Sequence, residues 1–269
     1  KQKTAYEIGV RLVGSEMCIR DRVYSFMASW NALNDYLDIE IDKINRPDRP
    51  LPSGRINKTV AMIAIISGCI ISFGSLFLAG QIANDLTDNF EDWYPTIVIW
   101  FLALALLLNY EDDRVLLGLK NRGLPGNLAI SISVGLVVLF GAAGLFDPLN
   151  QRAVSLFVIG TLYNLSREII KDVEDMDGDK GRHTYAMRVG ADKARLTSWV
   201  ILLITLVALL APFAMGVFEL LHIIFLAPGL FTLMNVKKHI YLAEDTAASR
   251  MIKTSMTLTM VGLILAAII

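Results

Sequence analysis

Cysteine and histidine are nearly missing from this chain. Two cysteines and three histidines among 269 residues leave no paired spacing for a zinc centre and little basis for a disulfide framework. The EF-hand calcium loop with its closing glutamate is absent as well. Charge is scarce: 19% of residues are Asp, Glu, Lys or Arg, where a soluble domain carries about a quarter. The net charge of −1 says little until it is divided by position, and no nucleic-acid partner is expected. What fills the gap is apolar. Hydrophobic residues make up 54% of the chain and the mean hydropathy is +0.52, which makes a membrane protein the first reading.

Seven charge-free stretches recur: Thr59–Asn84, Trp93–Tyr110, Leu128–Phe146, Ala153–Ser166, Leu196–Phe218, Leu220–Val236 and Thr254–Ile269. Crossing the hydrocarbon layer takes about 20 mostly apolar residues. Ala153–Ser166 reaches that length only if its helix runs on through Ile169 and Ile170. Val23–Asn34 reads as the last half of a further span. Water-soluble core helices are a poor account of so many runs, so the fold class is all-α, a multi-spanning transmembrane bundle. Residues 1–22 do not fit it. "GSEMCIRDR" (Gly14–Arg22) is polar where a membrane helix should precede Val23. This segment is read as atypical, either a sequence artefact in place of a first helix and half of a second or a short amphipathic surface helix. Residues 23–269 form the domain.

Loop charge gives the orientation. Lys and Arg concentrate in segments 42–58, 111–126, 171–195 and 237–253, whereas the alternate connections 85–92, 147–152 and the turn near Glu219 hold only Arg152. The positive-inside rule places the basic loops in the cytoplasm, and the expected location is the plasma membrane.

Two acidic motifs stand out against this background. In "NDYLDIEID", Asn34, Asp38 and Asp42 are spaced i, i+4, i+8 with Asp35 beside them, nearly one face of a helix. Pro47, Pro50 and Pro52 then end that helix. In "SREIIKDVEDMDGDK", Glu168, Asp172, Asp175 and Asp179 form a second stripe. Like charges one turn apart repel, and ionisable groups near a membrane need partners and often mark a site. Four spans separate the motifs, and an even number of crossings returns the chain to the same side. Carboxylates with an amide oxygen make a hard ligand set suited to Mg²⁺ shared with a substrate's phosphates. Lys43, Arg46, Arg49, Lys171, Lys180 and Arg182 flank the acids, where such groups can hold phosphate oxygens beside a metal; Arg46, Lys171 and Arg182 are the favoured candidates, and Arg167 joins them. The plain alternative is that such cations merely follow the membrane charge rule.

These residues resemble a known family. "NDYLDIEID" is similar to the NDxxDxxxD signature of the UbiA superfamily of intramembrane prenyltransferases. "NRPDRPLPSG" resembles the stretch that follows it there, and "DVEDMDGD" the second aspartate-rich motif. The resemblance implies a nine-helix bundle around a central cavity and Mg²⁺-dependent transfer of a prenyl group from its diphosphate. It also implies catalytic roles for Asp38, Asp42, Asp172 and Asp175, and metal binding by these with Asn34, Asp35 and Asp179. "LKNRGLPGN" (Leu119–Asn127) with the second motif looks most like the digeranylgeranylglyceryl phosphate synthase branch. That branch adds a geranylgeranyl group to geranylgeranylglyceryl phosphate, with Lys120 and Asn127 at substrate-binding positions. A family tyrosine is expected where Leu116 stands, and "EDDR" beyond Tyr110 is a departure. Prenylation of an aromatic or quinone precursor is the alternative acceptor chemistry. An ion-coupled transporter is the alternative from another class; it predicts acids at mid-helix rather than at helix ends.

Overall fold

The computed structural model describes residues 24–87, 89–111, 117–178 and 182–269. Every regular element among them is helical. Residues 24–37 form α1, followed by α2 (Ile39–Asn45), α3 (Lys58–Thr87), α4 (Tyr94–Glu111), α5 (Leu124–Gly144), α6 (Gln151–Glu174), α7 (Tyr185–Val189), α8 (Ala191–Ala214), α9 (Ala227–Tyr241) and α10 (Asp245–Ile268). Seven segments among the described residues are long and apolar enough to cross a membrane: Lys58–Asp85, Phe90–Glu111, Leu124–Gly144, Gln151–Glu174, Ala191–Ala214, Leu220–Tyr241 and Asp245–Ile268. They coincide with the seven apolar stretches of the sequence, with different ends. α6 does run on past Ile170, to Glu174. α10 starts at Asp245, well before the apolar run, because its first turns bury Ala248, Ser249 and Ile252 while Arg250 and Lys253 stay exposed. The sixth span begins as a 3₁₀ turn, Leu220–Leu226, and becomes α-helical only at Ala227, where Pro228 sits in the first turn and needs no amide partner.

The chain packs as two units, Lys1–Phe101 with Phe140–Pro148, and Leu102–Leu139 with Leu149–Ile269. In the first unit, the buried Trp93 of the 3₁₀ turn Phe90–Trp93 clusters with Leu76, Ala79, Ala83 and Phe140. Trp100 donates from Nε1 to Ser72 Oγ at 3.3 Å and stacks obliquely against Phe26. α1 and α3 approach so closely at Gly68 that a Cβ there would run into the Ser29 hydroxyl.

The second unit is organised around α6. Its Ile159, Tyr163 and Ile170 join Leu202 and Leu209 of α8, Leu233 and Val236 of α9, and Ile252 and Leu263 of α10 in one core. Lipid supplies little hydrophobic drive between membrane helices, so small side chains and interhelical hydrogen bonds contribute to the seams. Ser166 and Ser198 pair across α6 and α8 with Oγ atoms 2.7 Å apart, and Ser198 Oγ also donates to the Ser166 carbonyl at 3.0 Å. Tyr163 Oη lies 2.9 Å from Ser255 Oγ, which donates to the Gly229 carbonyl at 2.8 Å. At the polar end, Arg195 of α8 grips Asp245 of α10 through Nε and Nη2 at 2.8 and 2.7 Å. These seams fix α6, and α6 carries the second acidic motif at its end.

Candidate functional site

The first motif lies in the first unit, at the α1–α2 junction. Asp38 adopts φ −91°, ψ 10° and caps α2, so the regular helix pauses for one residue. Asp38 N–H still donates to the Asn34 carbonyl at 2.9 Å and Asp42 N–H to the Asp38 carbonyl at 2.8 Å, which carries the four-residue ladder across the break. Asp35 and Asp42, two turns apart, therefore stay on one side, and one nitrogen binds both. Arg49 Nη1 donates to Asp35 Oδ1 at 2.6 Å and to Asp42 Oδ2 at 2.7 Å. The Asp42 side chain is only 6% exposed and that of Asp35 37%. Burial raises the Asp35 carboxyl above its usual pKa, the Arg49 guanidinium opposes the shift, and Asp42 and Asp38 add to it. Arg49 reaches the acids because the proline-rich turn folds back: Ser53 binds the Arg49 carbonyl through its amide at 3.0 Å and its hydroxyl at 2.6 Å. On the outward side, Glu40 pairs with Lys43 at 2.8 Å, and that hydrogen bond lowers the exposed Glu40 carboxyl.

The second motif lies in the second unit. Asp172 Oδ2 accepts from Asn127 Nδ2 at 2.9 Å and from the Tyr185 amide at 3.2 Å. α5 supplies the first donor and the start of α7 the second, so two elements hold a carboxylate that a third, α6, carries. One turn earlier, Glu168 accepts from Lys171 Nζ at 2.9 Å and Arg167 Nη1 at 3.2 Å. Asp175 is the C-cap of α6, its amide donating to the Lys171 carbonyl at 2.9 Å. Glu174 accepts from Thr246 Oγ1 at 2.9 Å, which ties this end to α10. Nearby in sequence to Asn127, Lys120 forms an ion pair with Glu111 at 3.0 Å, both side chains largely buried, and its ammonium lies 5.7 Å from the centre of the Tyr110 ring.

The residues picked from sequence thus fall into two groups. Asn34, Asp35, Asp38, Asp42 and Arg46 belong to the α1–α2 end; Lys120, Asn127, Arg167, Lys171, Asp172, Asp175 and Arg182 belong to the second unit. Asp179 lies outside the described residues. Among the described residues, no three His, Cys, Asp or Glu side chains converge on one metal-sized position. Sequence reasoning missed two participants and gave a third a different partner. Arg49 reads in the sequence as a cation flanking the acids and fit for phosphate, yet it binds the acid pair itself. Glu111 sits in the "EDDR" departure and meets Lys120 only through folding. Tyr185 acts through its backbone, which leaves no side-chain signature.

Chemically, the first end already holds a cation between two carboxylates, the guanidinium of Arg49. Hard oxygen donors that accept a guanidinium there also suit Mg²⁺. In the second end the cations Arg167 and Lys171 pair with Glu168, one turn before Asp172, and charge-assisted donors of this kind also suit phosphate oxygens.

Comparison with known proteins adds an independent line. Residues 23–261 match the UbiA prenyltransferase family. A digeranylgeranylglyceryl phosphate synthase of Haloquadratum walsbyi is 33% identical over 206 residues, 75% of this chain and 65% of that relative. The enzyme of the same name from Methanosarcina mazei is 32% identical over 250 residues, 90% of this chain and 78% of the relative. Among solved structures, an apo UbiA homolog from Aeropyrum pernix K1 superposes with a TM-score of 0.73 at 19% identity, covering 93% of this chain and 89% of that one. A structure described for digeranylgeranylglyceryl phosphate synthase in membranes gives 0.67 at 24% identity, covering 95% and 86%. At these identities the two structures speak for the fold.

Proposed function

Because the chain belongs to the UbiA prenyltransferase family and is a multi-pass membrane protein, we propose that it transfers a geranylgeranyl group from its diphosphate to geranylgeranylglyceryl phosphate. The observation that carries this reading is the pair of acid-bearing helix ends: Asp35 and Asp42 bridged by Arg49, and Asp172 held by Asn127, with Glu168 one turn before it paired to Arg167 and Lys171. The names of the relatives point to the same acceptor.

In this reaction the allylic C–O bond of the donor breaks and its electron pair leaves with the diphosphate. The glycerol hydroxyl of the acceptor captures the allylic cation, loses its proton, and an ether bond forms. Asp35, Asp38, Asp42, Asp172, Asp175 and Asp179, with the Asn34 amide oxygen, would hold Mg²⁺. Bound there, Mg²⁺ supplies Lewis-acid neutralisation of the charge that develops on the leaving diphosphate. Arg46, Arg167, Lys171 and Arg182 bind phosphate oxygens, and Lys120 serves the acceptor phosphate. Asn127 orients Asp172 through its 2.9 Å hydrogen bond. Apolar helices exclude water that would quench the cation. The positive-inside distribution of loop charge supports a cytoplasmic location for both ends, in the plasma membrane.

The test supplies radiolabelled geranylgeranyl diphosphate to detergent-solubilised protein with geranylgeranylglyceryl phosphate, 4-hydroxybenzoate and a naphthoate as competing acceptors. Label is expected in the glyceryl ether, and Asp38→Ala and Asp172→Ala are each expected to abolish Mg²⁺-dependent transfer. Label in the aromatic product would reassign the acceptor; undiminished turnover in both variants would remove the acids from catalysis.

A further inference from the structure

Nothing in a metal-binding role for the first acidic end calls for an arginine between its two carboxylates, yet one is there. Mg²⁺ takes its ligand oxygens at about 2.0–2.1 Å. Arg49 Nη1 stands 2.6 and 2.7 Å from Asp35 Oδ1 and Asp42 Oδ2. A metal ion reaching those same two oxygens would overlap the guanidinium in space and repel its charge. The two cations are alternatives.

We propose that Arg49 is the resident counter-cation of the Asp35–Asp42 pair and that a divalent ion occupies these oxygens only by displacing it. This rests on the reading of the α1–α2 end as a metal site. Asp42, 6% exposed, is a buried carboxylate that needs a partner at all times. Without metal, Arg49 provides it and keeps two like-charged side chains in register. The turn holds the backbone of Arg49 through Ser53, while the side chain, 32% exposed, is in contact with solvent. Arg49 is thus a positioning residue. It pre-arranges the two acids, and its displacement cost sets how tightly the metal binds.

The exchange makes an unusual prediction, that removing a cation-bearing side chain which touches two proposed ligands strengthens metal binding. It is read without donor or acceptor, on the full chain in detergent, from the spectrum of free Mn²⁺ and from calorimetry with Mg²⁺. Arg49→Gln should bind either ion about tenfold more tightly, the size of effect that one adjacent charge exerts on a carboxylate. Arg49→Lys keeps the charge on a compact, more strongly hydrated head without the planar fork, and should fall between Gln and the wild type. Its retained charge makes it the variant to rely on should Gln unfold, as circular dichroism would reveal. Unchanged or weaker affinity in the folded variants, with the wild type binding normally, overturns the exchange alone. Absence of binding in every protein, wild type included, overturns the metal-site reading together with it.

Discussion

At the scale of single residues, the hydrogen bond from Asn127 to Asp172 is the most exposed point of the proposed chemistry. A ligand carboxylate held by an outer partner keeps its orientation, and losing that partner typically costs about 10–100-fold in metal affinity or activity. Asn127→Ala is therefore expected to raise the Mg²⁺ concentration for half-maximal transfer by about that factor, with the rate at saturating Mg²⁺ much less affected. A metal titration of labelled transfer checks it; an equal fall at all Mg²⁺ concentrations would point instead to a direct contact with substrate. The acids themselves were legible in the sequence, because carboxylates at helical spacing beside a membrane are costly and rarely idle. Their partners were not. Asn127 lies 45 residues from Asp172, Glu111 nine from Lys120, and neither separation is a helical repeat. Arg49 was visible as one of several cations flanking the acids, but nothing in the sequence set it apart from Lys43 or Arg46 as the one that binds them.

Among the elements, the α9–α10 contact depends on the absence of a side chain. A Cβ on Gly229 would strike the Thr259 side chain and come within 2.8 Å of the Thr259 amide nitrogen, and backbone cannot give way as a flexible side chain does. Gly229→Leu is expected to destabilise the protein by about 1–3 kcal/mol, the usual cost of overpacking, measured as earlier thermal unfolding in detergent. Ser166 and Ser198 form a reciprocal pair, so Ser166→Ala with Ser198→Ala should cost less than the sum of the single changes. A double-mutant cycle reads that coupling, about 0.6 kcal/mol for polar contacts of this kind in membranes. Apolar runs located the spans, since the bilayer fixes their length. They misplaced the start of α10 and the end of α6, whose polar terminal turns are stabilised by partners elsewhere, Arg195 for Asp245 and Thr246 for Glu174. The pause at Asp38 was invisible too, because the ladder of amide bonds continues across it.

For the molecule as a whole, topology is the property with the widest reach. Loops 42–58 and 171–195 are expected on one face of the membrane and 85–92 on the other. Single cysteines placed in each, after removal of Cys18 and Cys69, should divide accordingly in their reaction with an impermeant maleimide added to intact cells. Labelling of 42–58 and 171–195 from opposite faces would separate the two acidic motifs for good. A different consequence follows from α6, which is more enclosed than any other described span and carries Asp172 in its last turn. Any compound that seats on that carboxylate favours the folded bundle over the unfolded one. Occupancy at one hundred times the dissociation constant adds about 2.7 kcal/mol to the folded state by mass action alone. Melting temperature thereby becomes a binding assay that requires no turnover, and diphosphate analogues can be ranked on this protein before any product has been seen.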